Sequence, residues 1–296
     1  MAYFRRFCHR FITIGLLAIT SHVMAQGVLV PKGVIAHAEH KLMFDTLALM
    51  LIVVLPVIVM SFAFAQRFRE SNRPKEYQPE WCHSTMLEVF WWGIPTLIII
   101  ALAVITWHKT HELDPYKPLS VGGKPEQIDV VALRWKWLFI YPKEGIATIN
   151  DLYLPAKQQI RFHITADAPM SSFHIPQLGG QIYAMAGMRT KLHLYSEHLG
   201  TYEGLNTQLN GKGFSHMHFP VHVVSSGEFK RWTHQIKISA TPLTIHDYAA
   251  LYQPTIDAPQ VHFGKVPPHL FKRIMQQYMQ ANSMLHARSF NGVSHA

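Results

Sequence analysis

Two stretches of nineteen residues without a charge, Leu47–Ala65 and Val89–Trp107, limit what this chain can become more than any other feature. At a rise of about 1.5 Å per residue, a helix of either length crosses the roughly 30 Å of hydrocarbon in a bilayer. One such run alone reads equally well as the core helix of a soluble domain, but two in tandem predict a transmembrane hairpin. Its expected limits are residues 42–107, with spans at about 45–65 and 88–107 and a joining loop at 66–87. Pro56 and Pro95 fall inside the spans, where membrane helices tolerate proline better than soluble ones do. Trp91, Trp92 and Trp107 sit near the ends of the second span, as interfacial aromatics do. Arg67, Arg69, Arg73 and Lys75 gather in the joining loop. Positive charge favours the cytoplasmic side, so both flanks of the hairpin are expected in the periplasm.

Residues 1–25 read as a secretory signal: Arg5, Arg6 and Arg10, then the apolar FITIGLLAIT, then Val23-Met24-Ala25 as a cleavage site before Gln26. The 27 Lys+Arg against 18 Asp+Glu give a net charge of +9, which in a soluble protein would suggest nucleic acid. No basic run alternates with aromatics along a groove, and 49% of residues are hydrophobic, so membrane is the expected partner and nucleic acid is not. The two cysteines are Cys8, in the signal, and Cys82, in the joining loop. An exported domain without cysteine has neither a disulfide nor a thiolate metal site.

Beyond the hairpin, residues 108–225 are β-like. IDVVALRWKWLFIYP, QQIRFHITA, RTKLHLYSE and MHFPVHVV are rich in β-branched and aromatic residues and are separated by Gly, Pro and Asn turns, which predicts an antiparallel sandwich or barrel. Residues 226–296 turn helical, with FKRWTHQIKI and HLFKRIMQQYMQ amphipathic, and end in a flexible tail. Trp135 and Trp137 alternate with Lys136, so both indoles are expected on one face as core and docking residues. His216, His218 and His222 share a parity, which offers a metal comb or, as the default, a solvated strand face. Thr85-x-x-Glu88 has capping-box spacing at the start of the second span. No nucleophile with a base, phosphate loop or carboxylate pair marks a catalytic site on this chain.

The stretch GTYEGLNTQLNGKGFSHM, from Gly200 to Met217, resembles the loop that holds the binuclear copper centre in subunit II of the haem-copper oxidases, G-x-Y-x-G-x-C-S-E-x-C-G-x-x-H-S-x-M. Gly200, Tyr202, Gly204, Gly211, Ser215 and Met217 match. The bridging thiolates fall on Asn206 and Asn210, the glutamate on Gln208 and the histidine on Phe214. The family's upstream histidine falls on Ser171 of MSSFHIPQLG. Of six ligands only Met217 remains, and amides, a hydroxyl and a phenyl ring do not select copper.

The resemblance implies a membrane α + β fold: the two-helix hairpin, a periplasmic cupredoxin-like barrel or sandwich without copper, and the aromatic-rich C-terminal extension of the quinol-oxidase subunits II. It also implies a non-catalytic partner of oxidase subunit I and of further small membrane subunits. Haems, copper and bound ubiquinol would then belong to the rest of the complex, with no cofactor on this chain. Glu88, seven residues before Pro95, matches the family's glutamate at the mouth of a proton pathway into subunit I. The alternatives are a cytochrome c oxidase subunit II that has lost its copper, or a membrane-tethered cupredoxin-like binding module.

Overall fold

The computed structural model describes residues 26–69 and 83–279. The signal 1–25, Arg73, Lys75, Cys82 and the tail 280–296 lie outside the described residues. The chain divides into two compact units, one of residues 38–114 and the other of the chain on either side.

After a short α1 (Gln26–Leu29), the helices α2 (Val34–Arg67) and α3 (Thr85–Glu112) carry the two apolar runs and are long and apolar enough to cross a membrane. Both outrun the uncharged stretches. Residues before Leu47 include Ala, Glu, Lys, Leu and Met, good helix formers that extend α2 backwards. α3 ends in a polar turn where Lys109 Nζ donates to Glu112 at 2.6 Å. Pro56 and Pro95 stand inside unbroken helices. The most apolar windows of both helices have no buried residue, and Val89, Trp92, Leu97 and Ile99 of α3 are exposed. Such continuous apolar surface calls for lipid or partner helices around it.

The second unit is a two-sheet sandwich. The strands are β1 (Glu126–Leu133), β2 (Lys136–Tyr141), β3 (Ile146–Ile149), β4 (Leu152–Pro155), β5 (Ile160–Ala166), β6 (Ser171–His174), β7 (Gln181–Ala184), β8 (Thr190–Leu194), β9 (Gly200–Asn206), β10 (His218–Val224) and β11 (Val261–Phe263). One sheet runs β11-β3-β2-β1-β5-β8 and the other β4-β10-β9-β6-β7. Pairings are antiparallel except β1 with β5 and β4 with β10. The sequence of β1 and β2 is almost continuously apolar because both faces of that sheet are covered. Val130, Ala132, Trp137 and Phe139 point into the core between the sheets. Their neighbours Val131, Leu133, Leu138 and Ile140 pack instead against Leu243, Tyr248, Phe271 and Ile274 of the C-terminal extension.

That extension is therefore a third layer. It begins with α4 (Ser226–Ser239), whose N-cap Ser225 accepts a bond from Glu228 N, and continues through α5 (Ile245–Leu251), closed by a Thr244–Asp247 capping box. It then supplies β11 to the edge of β3 and ends in helical residues 270–279. Polar anchors fix it. Lys136, buried on the extension side, donates to Gln253 O and Thr255 Oγ1 at 3.0 and 2.9 Å, and burial lowers its pKa. The buried Asp167 accepts from Tyr248 at 2.5 Å and Tyr278 at 2.6 Å. Burial, reinforced by that carboxylate, holds both phenols above their ordinary range, so they stay donors.

The N-terminal residues also belong to the sandwich. Lys32 N and Gly33 N donate to Gln177 O, Ala36 N donates to Leu178 O, and Ile35 and Ala36 are buried. A Cβ on Gly33 would lie 2.3 Å from Leu178 O, so only glycine permits this approach.

Gly204 of the copper-type loop outline has a comparable reason. It sits opposite Phe219 in the β9–β10 register, and a Cβ there would lie 2.2 Å from the Phe219 ring. Gly204→Ala is expected to destabilise the sandwich by about 1–3 kcal/mol through overpacking, read as a lowered denaturant midpoint of the intact chain. An unchanged midpoint would show that Phe219 moves aside at no cost.

Candidate functional site

The copper-type loop runs between β9 and β10, and its outline is filled by hydrogen bonds. Asn206 closes β9: its Oδ1 accepts from Ser172 N at 2.8 Å and Gln208 N at 3.1 Å, and its Nδ2 donates to Gln208 O at 2.8 Å. Asn210 reaches back into the cluster, where its Nδ2 donates to Ser171 Oγ at 3.0 Å and lies 3.4 Å from Met217 Sδ. Ser171, Asn206 and Met217 are buried. The structure therefore brings together Ser171, Asn206, Asn210 and Met217, with Gln208 taking part through its main chain. Phe214 opens a 3-10 turn, Phe214–His216, and joins through its main chain alone, its O accepting from Met217 N at 3.1 Å. Amides, a hydroxyl and one thioether do not fit a binuclear copper centre, which needs thiolate and imidazole donors. Among the described residues no group of three His, Cys, Asp or Glu is placed to hold a metal.

Trp135 shapes the loop from outside. It occupies the β1–β2 turn with φ +66° rather than a strand position, so the two indoles do not share a strand face. Its Nε1 donates to Asn210 O at 3.3 Å, and Gly211 and Gly213 lie against its ring, where a Cβ on Gly213 would come within 2.4 Å. Trp137 is fully buried, edge-on to Phe173 and Phe219 at 5.4 and 5.9 Å.

The three-histidine comb does not form. His216 is in the 3-10 turn, 2.6 Å from Asp257, and only His218 and His222 lie on β10. His222 sits 3.3 Å from the buried carboxylate of Asp151, which also meets His262 of β11 at 2.7 Å. Sequence reasoning missed this contact because His262 stands in a three-residue strand with no periodic signal.

At the start of α3 the predicted capping box is absent. The helix begins one residue earlier, with Ser84 as N-cap and no side-chain cap bond, and Glu88 N makes the ordinary helical bond to Ser84 O. The Glu88 carboxylate turns instead to His83, with Oε1 2.9 Å from Nδ1, while His83 Nε2 lies 3.1 Å from Thr85 Oγ1.

Membrane-length helices, a cupredoxin-like sandwich whose β9–β10 loop is closed by amides, and an extension layered on the outer sheet define the class, a subunit II of the oxidases. Residues 130–225 match the family described as the periplasmic domain of cytochrome c oxidase subunit II, and residues 237–282 match the COX aromatic-rich motif. Cytochrome bo(3) ubiquinol oxidase subunit 2 of Pseudomonas putida is 44% identical over 272 residues, covering 90% of this chain and 87% of the relative. The protein of the same name from Pseudomonas aeruginosa is 46% identical, covering 84% and 75%. Ubiquinol oxidase subunit 2 of Acetobacter aceti is 46% identical, covering 85% and 82%. The chain belongs to the ubiquinol oxidase subunit 2 family.

Proposed function

We propose that this chain is the non-catalytic subunit II of a proton-pumping oxidase that takes electrons from ubiquinol and reduces oxygen to water. It would lie in the bacterial inner membrane with the sandwich in the periplasm. α2 and α3 pack on subunit I and neighbouring small subunits and lipid, and the haems, copper and quinol site belong to subunit I. The observation that carries this reading is the Asn210 amide bonded to Ser171 and placed against Met217, a hydrogen-bonded cluster where a copper relay from cytochrome c would stand. A quinol donor needs no such relay. The test is the purified complex offered ubiquinol or reduced cytochrome c: oxygen uptake with ubiquinol alone is expected, and turnover driven by cytochrome c would overturn the reading.

Glu88 is proposed as a proton entrance to subunit I on the cytoplasmic side. The absent capping bond supports this, because the carboxylate is not committed to its own helix end. A carboxylate at the positive end of a helix also concentrates protons and exchanges them with water. In Glu88→Gln the shape persists and the titratable group is gone. Turnover is expected to fall by about a hundredfold, the low end for a positioned proton-transfer group, with haem content intact. A normally assembled variant with wild-type rate at every pH would reduce Glu88 to a surface residue.

A further inference from the structure

Of the six buried side-chain polar atoms that lack a hydrogen-bond partner among the described residues, three belong to Gln159, Arg161 and His193. They share one place. Arg161 of β5 and His193 of β8 are direct cross-strand partners, and Gln159 stands two residues before Arg161, with the same parity. The alternating neighbours Ile160, Phe162, Leu192 and Leu194 point into the core, so the three polar side chains lie on the opposite face of the sheet. The chain leading into β1 packs on that face. Pro115 O meets His193 Nδ1 at 3.0 Å, and Gly122 comes so close that a Cβ there would lie 2.5 Å from Gln159 N. Gln159 and His193 are only 1% and 3% exposed, and polar atoms buried this deeply are costly to leave unmet. We infer that Gln159, Arg161 and His193 bind a small oxyanion that keeps a hydroxyl at neutral pH, hydrogen phosphate or bicarbonate.

The unmet atoms select that class. A carbonyl only accepts, so the Nδ1 of His193 facing Pro115 O carries the ring proton. Burial lowers the His193 pKa, the nearby charges of Arg161 and Lys191 act the same way, and the ring stays neutral. Its Nε2 is then a bare acceptor that calls for an O–H. Arg161 Nε and Gln159 Nε2 are donors that call for oxygen lone pairs. One hydroxyl and two accepting oxygens on a single ion answer all three. Cross-strand neighbours stand about 5 Å apart and alternate residues of a strand about 7 Å, distances that one oxyanion spans with a hydrogen bond on each side.

Charge favours an anion over water. The Arg161 guanidinium is charged at any physiological pH, its Nη2 donates to the neutral Gln127 at 3.4 Å, and among the described residues no carboxylate pairs with it. Asp129, the acid on the same face, is engaged by Gln127 at 2.8 Å and by His163 at 3.3 Å. A partly buried cation without a counter-charge is stabilised by an anion far more than by a neutral molecule.

The test is calorimetric titration of the full chain in its purified complex, near neutral pH, at constant ionic strength and in a buffer free of both ions. Phosphate is compared with sulfate, equally tetrahedral but without a proton, and bicarbonate with nitrate, equally planar and without one. Saturable binding of phosphate or of bicarbonate is expected, at least about tenfold tighter than the proton-free counterpart, which would leave Nε2 of His193 facing an oxygen lone pair. The ion that binds identifies the source. In Arg161→Gln it should bind about tenfold to a hundredfold more weakly, as the loss of a charged hydrogen bond implies. His193→Leu should erase the preference for the protonated ion while Arg161 still draws anions. Wild type that binds neither ion saturably overturns the inference and leaves the three atoms to bound water. Proton-free ions that bind equally well overturn it too. Binding that Arg161→Gln and Gln159→Leu both leave unchanged places the ion elsewhere in the complex and has the same consequence. If Arg161→Gln assembles poorly, Gln159→Leu, which removes only an uncharged donor, carries the comparison.

Discussion

A chain carrying Ser171→His, Asn206→Cys, Gln208→Glu, Asn210→Cys and Phe214→His is expected to bind two coppers, with thiolate-to-copper absorption and a mixed-valence paramagnetic signal that wild type lacks. The expectation rests on geometry. The side chains at 171 and 210 already meet at 3.0 Å, and those at 210 and 217 at 3.4 Å. Trp135 holds the intervening turn through Asn210 O and the two glycines, contacts that use no replaced side chain. The weak point is Asn206, whose amide staples β9 to β6 and to Gln208. Cysteine cannot replace those bonds, so the copper-free variant should be less stable by about 1–3 kcal/mol, and metal binding should offset the loss. The whole chain is the right material, because residues 26–37 and the extension both pack into the domain. If the folded variant stays colourless with excess copper, the groups that orient the ligands have been lost along with the ligands. Either signal at stoichiometric level in wild type would defeat the copper-free reading outright.

Trp137→Ala is expected to cost about 3–5 kcal/mol, a large part of the stability of a domain this size. The indole is buried in the core between the sheets against Phe173 and Phe219, which are themselves stacked at 5.6 Å. Trp137→Phe should cost less than about 1.5 kcal/mol. The smaller ring keeps most of the packing, and it removes an indole N–H that is buried without a partner. Denaturant midpoints of the two variants check the contrast. An alanine variant within about 1 kcal/mol of wild type would mean that the core collapses around the gap.

Much of this was legible from residue order. The two long apolar helices followed from nineteen uncharged residues occurring twice, a run too long and too apolar for a strand or loop. The clustering of Ser171, Asn210 and Met217 was legible because the loop's glycines and tyrosine recur at fixed spacing. What failed was local or long-range geometry. The Thr85–Glu88 spacing pointed to a cap, yet Ser84 one residue earlier is an equally good N-cap type, and that shift released Glu88 to His83. Trp135 broke the strand parity because Arg134 and Trp135 form the tight turn between β1 and β2, with Trp135 in the left-handed region that is unusual for a bulky residue. The pairing of β11 with β3, and the burial of Ile35 and Ala36, depend on contacts between distant segments that no local pattern announces.

The layered extension has a bearing on how the periplasmic half comes into being. Asp151 and His262 are 111 residues apart in the chain, as are Asp167 and Tyr278, and Lys136 and Thr255 are separated by 119. Contacts this remote form late, since the loop between them must close before they contribute. Until β11 arrives, β3 is an open sheet edge, the kind of surface that recruits stray strands. A chain made from its N-terminus therefore presents an incomplete sandwich for most of its synthesis, and the segment that emerges late is the one that shields that edge. Order of synthesis and order of folding are thereby coupled: a ribosome that stalls before residue 261 would leave a sandwich with an adhesive, unpaired edge.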